Sequence, residues 1–136
     1  MIGTSTRTIY RLFVAAILTI GFNVSAYAFD IVIDAAPSVL NLQSQGEVVT
    51  IHTDIAYWSV DVYSVHLNGV LISSWKADNH GNFVAKFGMD EIKTLDGLLI
   101  GDYNTLKLIG TAGDEAFVGE TDIMVLDNIP KGKAAK

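Results

Sequence analysis

From Phe29 onward, apolar and polar side chains alternate in short runs. In "FDIVIDA", Phe29, Ile31 and Ile33 fall on one face and Asp30 and Asp34 on the other. A period of two is the mark of a strand with one face buried. After Pro37, "VLNLQSQG" is a short apolar stretch closed by a Gln/Ser/Gly turn. "EVVTIHTDI" then sets Val49, Ile51 and Thr53 opposite Val48, Thr50 and His52. "VYSVHLNGVLISSW" places Asn68-Gly69 between alternating apolar residues, with Trp75 expected at the end of the resulting hairpin. A type I′ turn needs positive φ at both central positions, and Asn-Gly adopts it at low cost. "NFVAKFG" puts Phe83, Ala85 and Phe87 on one face, against Val84 and Lys86.

The pattern changes in "MDEIKTLDGLL", where Met89, Ile92 and Leu95 recur at helical spacing and predict one or two helical turns before Gly97. "YNTLKLIGTA" and "AFVGETDIMVLD" flank Gly113-Asp114 and predict a closing hairpin. In its second strand Phe117, Gly119, Thr121, Ile123 and Val125 share one side. The sum is about seven or eight short strands and at most one short helix. Strands of this kind bury their apolar faces only when two sheets close over each other, so an all-β sandwich is expected.

The residues before Phe29 read differently. Arg7 and Arg11 form a positive start, Leu12 to Phe22 is apolar, and Ala26-Tyr27-Ala28 fits the small-x-small cleavage rule. The apolar run is shorter than the about 20 residues a spanning helix takes. Residues 1–28 are therefore expected to be a signal peptide, 29–129 a single domain, and 130–136 a flexible basic tail. Without its two Arg the mature chain holds seven Lys against 15 acids, a net charge of −8. Such a charge repels phosphates, which argues against nucleic acid and anionic lipid as partners, and no stable membrane insertion is expected after cleavage. No cysteine is present, which excludes disulfides and a lipid-anchored cleavage site.

Four segments, "SVLNLQSQGEVVTIHT", "DVYSVHLNGV", "VAKFGMDEI" and "LKLIGTAGDEAFVGETDIMVL", follow one another in an order that resembles an immunoglobulin-like β-sandwich module of secreted bacterial and archaeal proteins. The matching positions are Leu40-Asn41-Leu42, Ser44, Gly46, Asp61-Val62, Asn68-Gly69, Lys86-Phe87, Gly110, Asp114, Phe117, Gly119, Asp122, Ile123 and Val125. The resemblance covers nearly all of the chain after the leader and implies immunoglobulin-like topology. It implies no catalytic residue.

Many members of that family carry an Asp-rich, calcium-site-like loop ahead of the Lys-Phe strand. The corresponding stretch here is Asp78-Asn79-His80-Gly81-Asn82. Calcium takes several oxygen ligands, and this loop offers one carboxylate and a His in place of an oxygen donor. It reads better as an Asn/Gly turn satisfied by its own backbone. His52, His66 and His80 with Met89 and Met124 suggest copper, but a blue-copper centre needs a Cys thiolate. No nucleophile elbow or phosphate loop is present. The remaining candidates are Tyr57, Trp58 and Trp75, which on one exposed face stack on sugar rings or anchor a protein; the competing role for a Trp is to plug the core.

The expected function is that of an exported, non-catalytic β-sandwich, periplasmic or extracellular and without a cofactor. It binds another envelope or extracellular protein, or a polysaccharide. One alternative is a small periplasmic metal-binding protein that holds calcium or a transition metal with Asp78, His80 and Asn82. Another is a subunit of an extracellular assembly.

Overall fold

The computed structural model describes residues 27–129. The expected tail and all but the last two residues of the expected leader lie outside them. Among the described residues the chain runs through ten strands, a 3₁₀ turn and one short helix: β1 (Ala28–Asp30), β2 (Ile33–Ala36), β3 (Val39–Asn41), β4 (Val48–Ala56), the 3₁₀ turn Tyr57–Ser59, β5 (Val60–Leu67), β6 (Val70–Leu71), β7 (Ser74–Ala77), β8 (Asn82–Gly88), α1 (Met89–Lys93), β9 (Asp102–Ala112) and β10 (Glu115–Leu126). They form two open sheets. One has the order β1-β10-β9-β5-β6, with β3 also on β10; the other has the order β2-β4-β8-β7.

The expected faces meet between the sheets. Val49, Ile51, Phe83, Ala85 and Phe87 of the four-stranded sheet face Leu106, Leu108, Phe117, Ile123 and Val125 of the other, all fully buried or nearly so. Each such large side chain contributes roughly 1.5–3 kcal/mol. Thr53 is the buried polar residue among them, and its Oγ1 donates to the Phe83 carbonyl at 2.6 Å. Met89 and Ile92 of α1 plug one end of the core.

There are more strands than the seven or eight expected, because two predicted strands each change sheets part-way. "FDIVIDA" divides into β1, parallel to β10 in one sheet, and β2, antiparallel to β4 in the other. At the crossing the Ile31 N–H donates to the Val118 carbonyl at 2.8 Å, and the Val32 N–H to Asp54 Oδ1 at 2.9 Å. Ile31 and Ile33 still address the core, while Phe29 stays exposed at the margin with its ring 6.2 Å from that of Phe117. The second case follows the Asn68-Gly69 turn, whose φ values of 47° and 85° are both positive, as type I′ requires. Only Val70–Leu71 return along β5. Ile72 then turns into the core and the chain enters β7 in the opposite sheet, so Trp75 does not end the hairpin. At the first crossing the alternation continues, because both sheets share one interior; at the second it slips by one residue, with Ser73 and Ser74 both exposed between Ile72 and Trp75.

The first crossing rests on Gly119. A Cβ there would lie 2.6 Å from Ile33 Cγ2 and 3.2 Å from the Ile31 carbonyl oxygen. Gly119→Ala is expected to destabilise the domain by about 1–3 kcal/mol through overpacking. The check is the shift in urea midpoint at unchanged slope.

Candidate binding surface

The sandwich has two ends of different chemistry. At one end Val60, which opens β5, pairs with Ala112 beside the Gly113-Asp114 turn. The 3₁₀ turn Tyr57–Ser59 is held to the Asp78–Asn82 turn by the Tyr57 N–H, which donates to the Gly81 carbonyl at 2.9 Å, and by the pairing of Ala56 with Asn82. The two stretches singled out in the sequence therefore form one surface.

Tyr57 anchors it, its ring centroid 6.5 Å from that of buried Phe83. Ser59 Oγ donates to the Ala56 carbonyl at 2.7 Å and closes the turn. Trp58, between them, is 86% exposed. Trp75 belongs elsewhere. It is partly buried against the core at the edge of its sheet, and its indole meets Tyr63 of β5 edge-on at 5.7 Å. Tyr63, itself largely exposed, was absent from the sequence-derived candidates. Tyr63 shares the parity of buried Val65 and Leu67, and the register shift of β5 between Asp61 and His66 is what leaves its ring exposed, so local alternation carried no signal for it.

The Asp78 turn is closed from within. Asp78 Oδ1 accepts the N–H groups of His80 at 2.8 Å and Asn82 at 2.9 Å. The Asp78 N–H donates to the Asn82 carbonyl at 2.9 Å, and the Gly81 N–H to the Asp78 carbonyl at 3.0 Å. The bond from the Asn82 N–H holds the Asp78 carboxyl below its ordinary range; desolvation opposes it, and the His80 N–H and the charges of His80 and His52 add smaller lowering effects. His52 lies on the exposed face of one sheet; His66 lies on the other, its Nδ1 3.0 Å from the Ser64 carbonyl oxygen. Met89 is buried in the first turn of α1, and Met124 is half-buried on the outer face of β10. Among the described residues no group of three or more His, Cys, Asp or Glu is placed to hold a metal ion, and no buried side-chain N or O lacks a partner. Nor, among them, is any helix long and apolar enough to cross a membrane.

Compared with family models, with curated proteins and with solved structures, the chain matches none.

A carboxyl depressed in the fold stabilises it above its unfolded pKa, and that gain is lost as pH falls through the folded value. Asp78→Asn keeps an acceptor oxygen without the charge. Its deficit in urea midpoint relative to wild type is expected to be full at neutral pH and to shrink below about pH 4. A deficit that does not change down to pH 2.5 would show that the charge is not what the turn uses.

Proposed function

We propose that the chain is an exported, non-catalytic interaction module of immunoglobulin-like topology. The proposed partner, a protein or a polysaccharide outside the cytoplasm, is contacted through the Tyr57-Trp58 turn. The observation that carries this is the 86% exposure of Trp58 on a turn whose neighbours are fixed. An indole in water forgoes the burial that normally repays a large aromatic, while a rigid support lowers the entropy lost on binding. Exposed tryptophans of this kind supply a large share of the energy at binding surfaces.

The topology supports the family reading. In chain order β2, β4, β5, β6, β7, β8, β9 and β10 correspond to strands A, B, C, C′, D, E, F and G, giving A-B-E-D packed on G-F-C-C′. The Tyr57–Ser59 and Gly113-Asp114 turns are then the B–C and F–G loops, which share the binding end in antibody variable domains; this is analogy of position alone. The leader pattern of residues 1–28 supports export. The closed hydrogen bonding of Asp78 weighs against its loop as the site of a metal.

Trp58→Ala is expected to weaken binding about tenfold or more, with no change in the unfolding midpoint. A glycan array and a panel of purified envelope proteins supply the partners. Loss of neither Trp58 nor Tyr57 affecting any partner bound by wild type would end this reading. Titration of the metal-stripped protein with Ca²⁺, Zn²⁺ and Cu²⁺ is expected to show no saturable site tighter than about micromolar. A site that disappears in His80→Ala would put metal binding in its place.

A further inference from the structure

The opposite end of the sandwich carries a second surface. Between α1 and β9 the chain reads Gly97-Leu98-Leu99-Ile100-Gly101, and both glycines sit at positive φ, 80° and 79°. That pair of left-handed positions sets the direction of the three apolar residues between them. Leu98 turns to the core, while Leu99 and Ile100 stand 57% and 59% exposed. The tip is fastened rather than loose. Asn104 Oδ1 accepts the Leu99 N–H at 2.7 Å, Asn104 Nδ2 donates to the Leu99 carbonyl at 2.9 Å, and the Gly101 N–H donates to the Val125 carbonyl at 2.7 Å.

The apolar surface continues onto the outer face of the six-stranded sheet. Tyr103 is paired with Met124, and Met124 with Val39, so the three stand side by side on adjacent strands. Tyr103 and Val39 are exposed. Ile129, also exposed, follows Asn128, whose backbone is tied to the Asn41 side chain two residues from Val39. Exposed apolar side chains grouped at one end of a hydrogen-bonded frame are the kind of surface that interaction sites use.

Its surroundings are acidic. Asp102 adjoins Tyr103, and Asp127 accepts from Gln43 at 2.6 Å beyond Leu126. Asp122 lies in the next row of the sheet, accepting from Thr105 at 3.0 Å. Asp96 lies in a depression beside the tip, which Leu95, Leu98, Asn104 and Thr105 also line. On the sheet face Lys107 lies one row beyond Asp122, opposite Glu120, and Lys93 of α1 is engaged with the Ser44 carbonyl.

We propose that this end docks a polypeptide segment of another protein that carries large apolar side chains flanked by Lys or Arg. The apolar groups cover Leu99, Ile100 and Tyr103, and the cations reach Asp96, Asp102 and Asp122. A second copy of the chain is a poor occupant, since it brings the same carboxylates to the same place. An anionic bilayer is repelled by them, and a carboxylate carried into hydrocarbon is costly. The chain's own residues 130–136 hold three Lys but no apolar side chain larger than Pro or Ala, so they match the charge and not the area.

The test is selection of a phage-displayed random peptide library on the protein, followed by NMR titration of the enriched peptide. Enriched peptides are expected to combine large apolar residues with Lys or Arg, and to shift the resonances of Leu99, Ile100 and Tyr103. The double variant Leu99→Ser/Ile100→Ser, folded by its unfolding midpoint, is expected to bind about tenfold or more weakly. Asp102→Asn/Asp122→Asn is expected to weaken binding several-fold and to flatten its dependence on salt. Trp58→Ala leaves it unchanged, which separates this surface from the Tyr57-Trp58 end. Four results each overturn the proposal: no enrichment, enriched peptides without basic residues, full binding by the serine variant, or loss of the peptide shifts to self-association. Binding to vesicles of phosphatidylcholine with phosphatidylglycerol that the serine variant loses would assign the tip to a membrane instead, and overturn it as well.

Discussion

The interdigitation of two apolar faces is the constraint on which the rest depends. Phe83 and Phe87 on one sheet and Phe117 on the other occupy the interior together with Leu106, Leu108 and Ile123. Side chains of that size hold two sheets at a separation of about 10 Å. Once that spacing is set, every connection must run round an end or cross between the sheets where a small residue permits it. Gly119 is such a place, and the crossing there lets one N-terminal segment serve both sheets.

The crossings also manage the sheet edges. β1 pairs with Ala116–Val118 and β3 with Met124–Leu126, so two short parallel strands cover much of the outer edge of the longest strand. β6 has two residues and β7 four, and Lys76 stands exposed on β7. Short edges with a charged residue offer little template for further strand pairing. Strand addition is thus disfavoured here, and the proposed contacts lie at the ends, where the exposed Trp58, Leu99 and Ile100 are found.

The core faces, the Asn68-Gly69 turn, the short helix and the closing hairpin were all legible, because each follows from a local rule of period or turn chemistry. The sheet crossings were not. Ile31-Val32 keeps the alternation going while the hydrogen-bond partners change, Ser73-Ser74 interrupts it with no more than one extra polar residue, and partners far along the chain leave no mark on a local pattern. The same blindness put Trp75 with Tyr57 and Trp58: all three are aromatic, but only the pairing of β7 with β8 directs the Trp75 ring inward, to meet Tyr63. It also left the Leu99-Ile100 tip inside an apolar run. "GLLIG" has the composition of a core segment, and the two glycine φ values that lead Leu99 and Ile100 outward follow from tertiary context.

The two ends differ in how their exposed groups are held. At the Tyr57-Trp58 end a single large ring stands out from a turn that is hydrogen-bonded to a second turn, and Asp78 spends its carboxylate oxygen on the backbone of that support. Such a site has one strong contact, with the exposed carboxylates of Asp114 and Glu115 at the same end of the sandwich. At the Leu99-Ile100 end the apolar area is spread over a loop and three strands, and its carboxylates surround it. A partner there gains from many small burials, and acidic surroundings reject partners of the wrong charge before the apolar groups meet. On the proposed readings, one end depends on the fit of a single indole and the other on charge complementarity across an area. Ionic strength therefore acts on the second, within a Debye length of about 10 Å at 0.1 M salt.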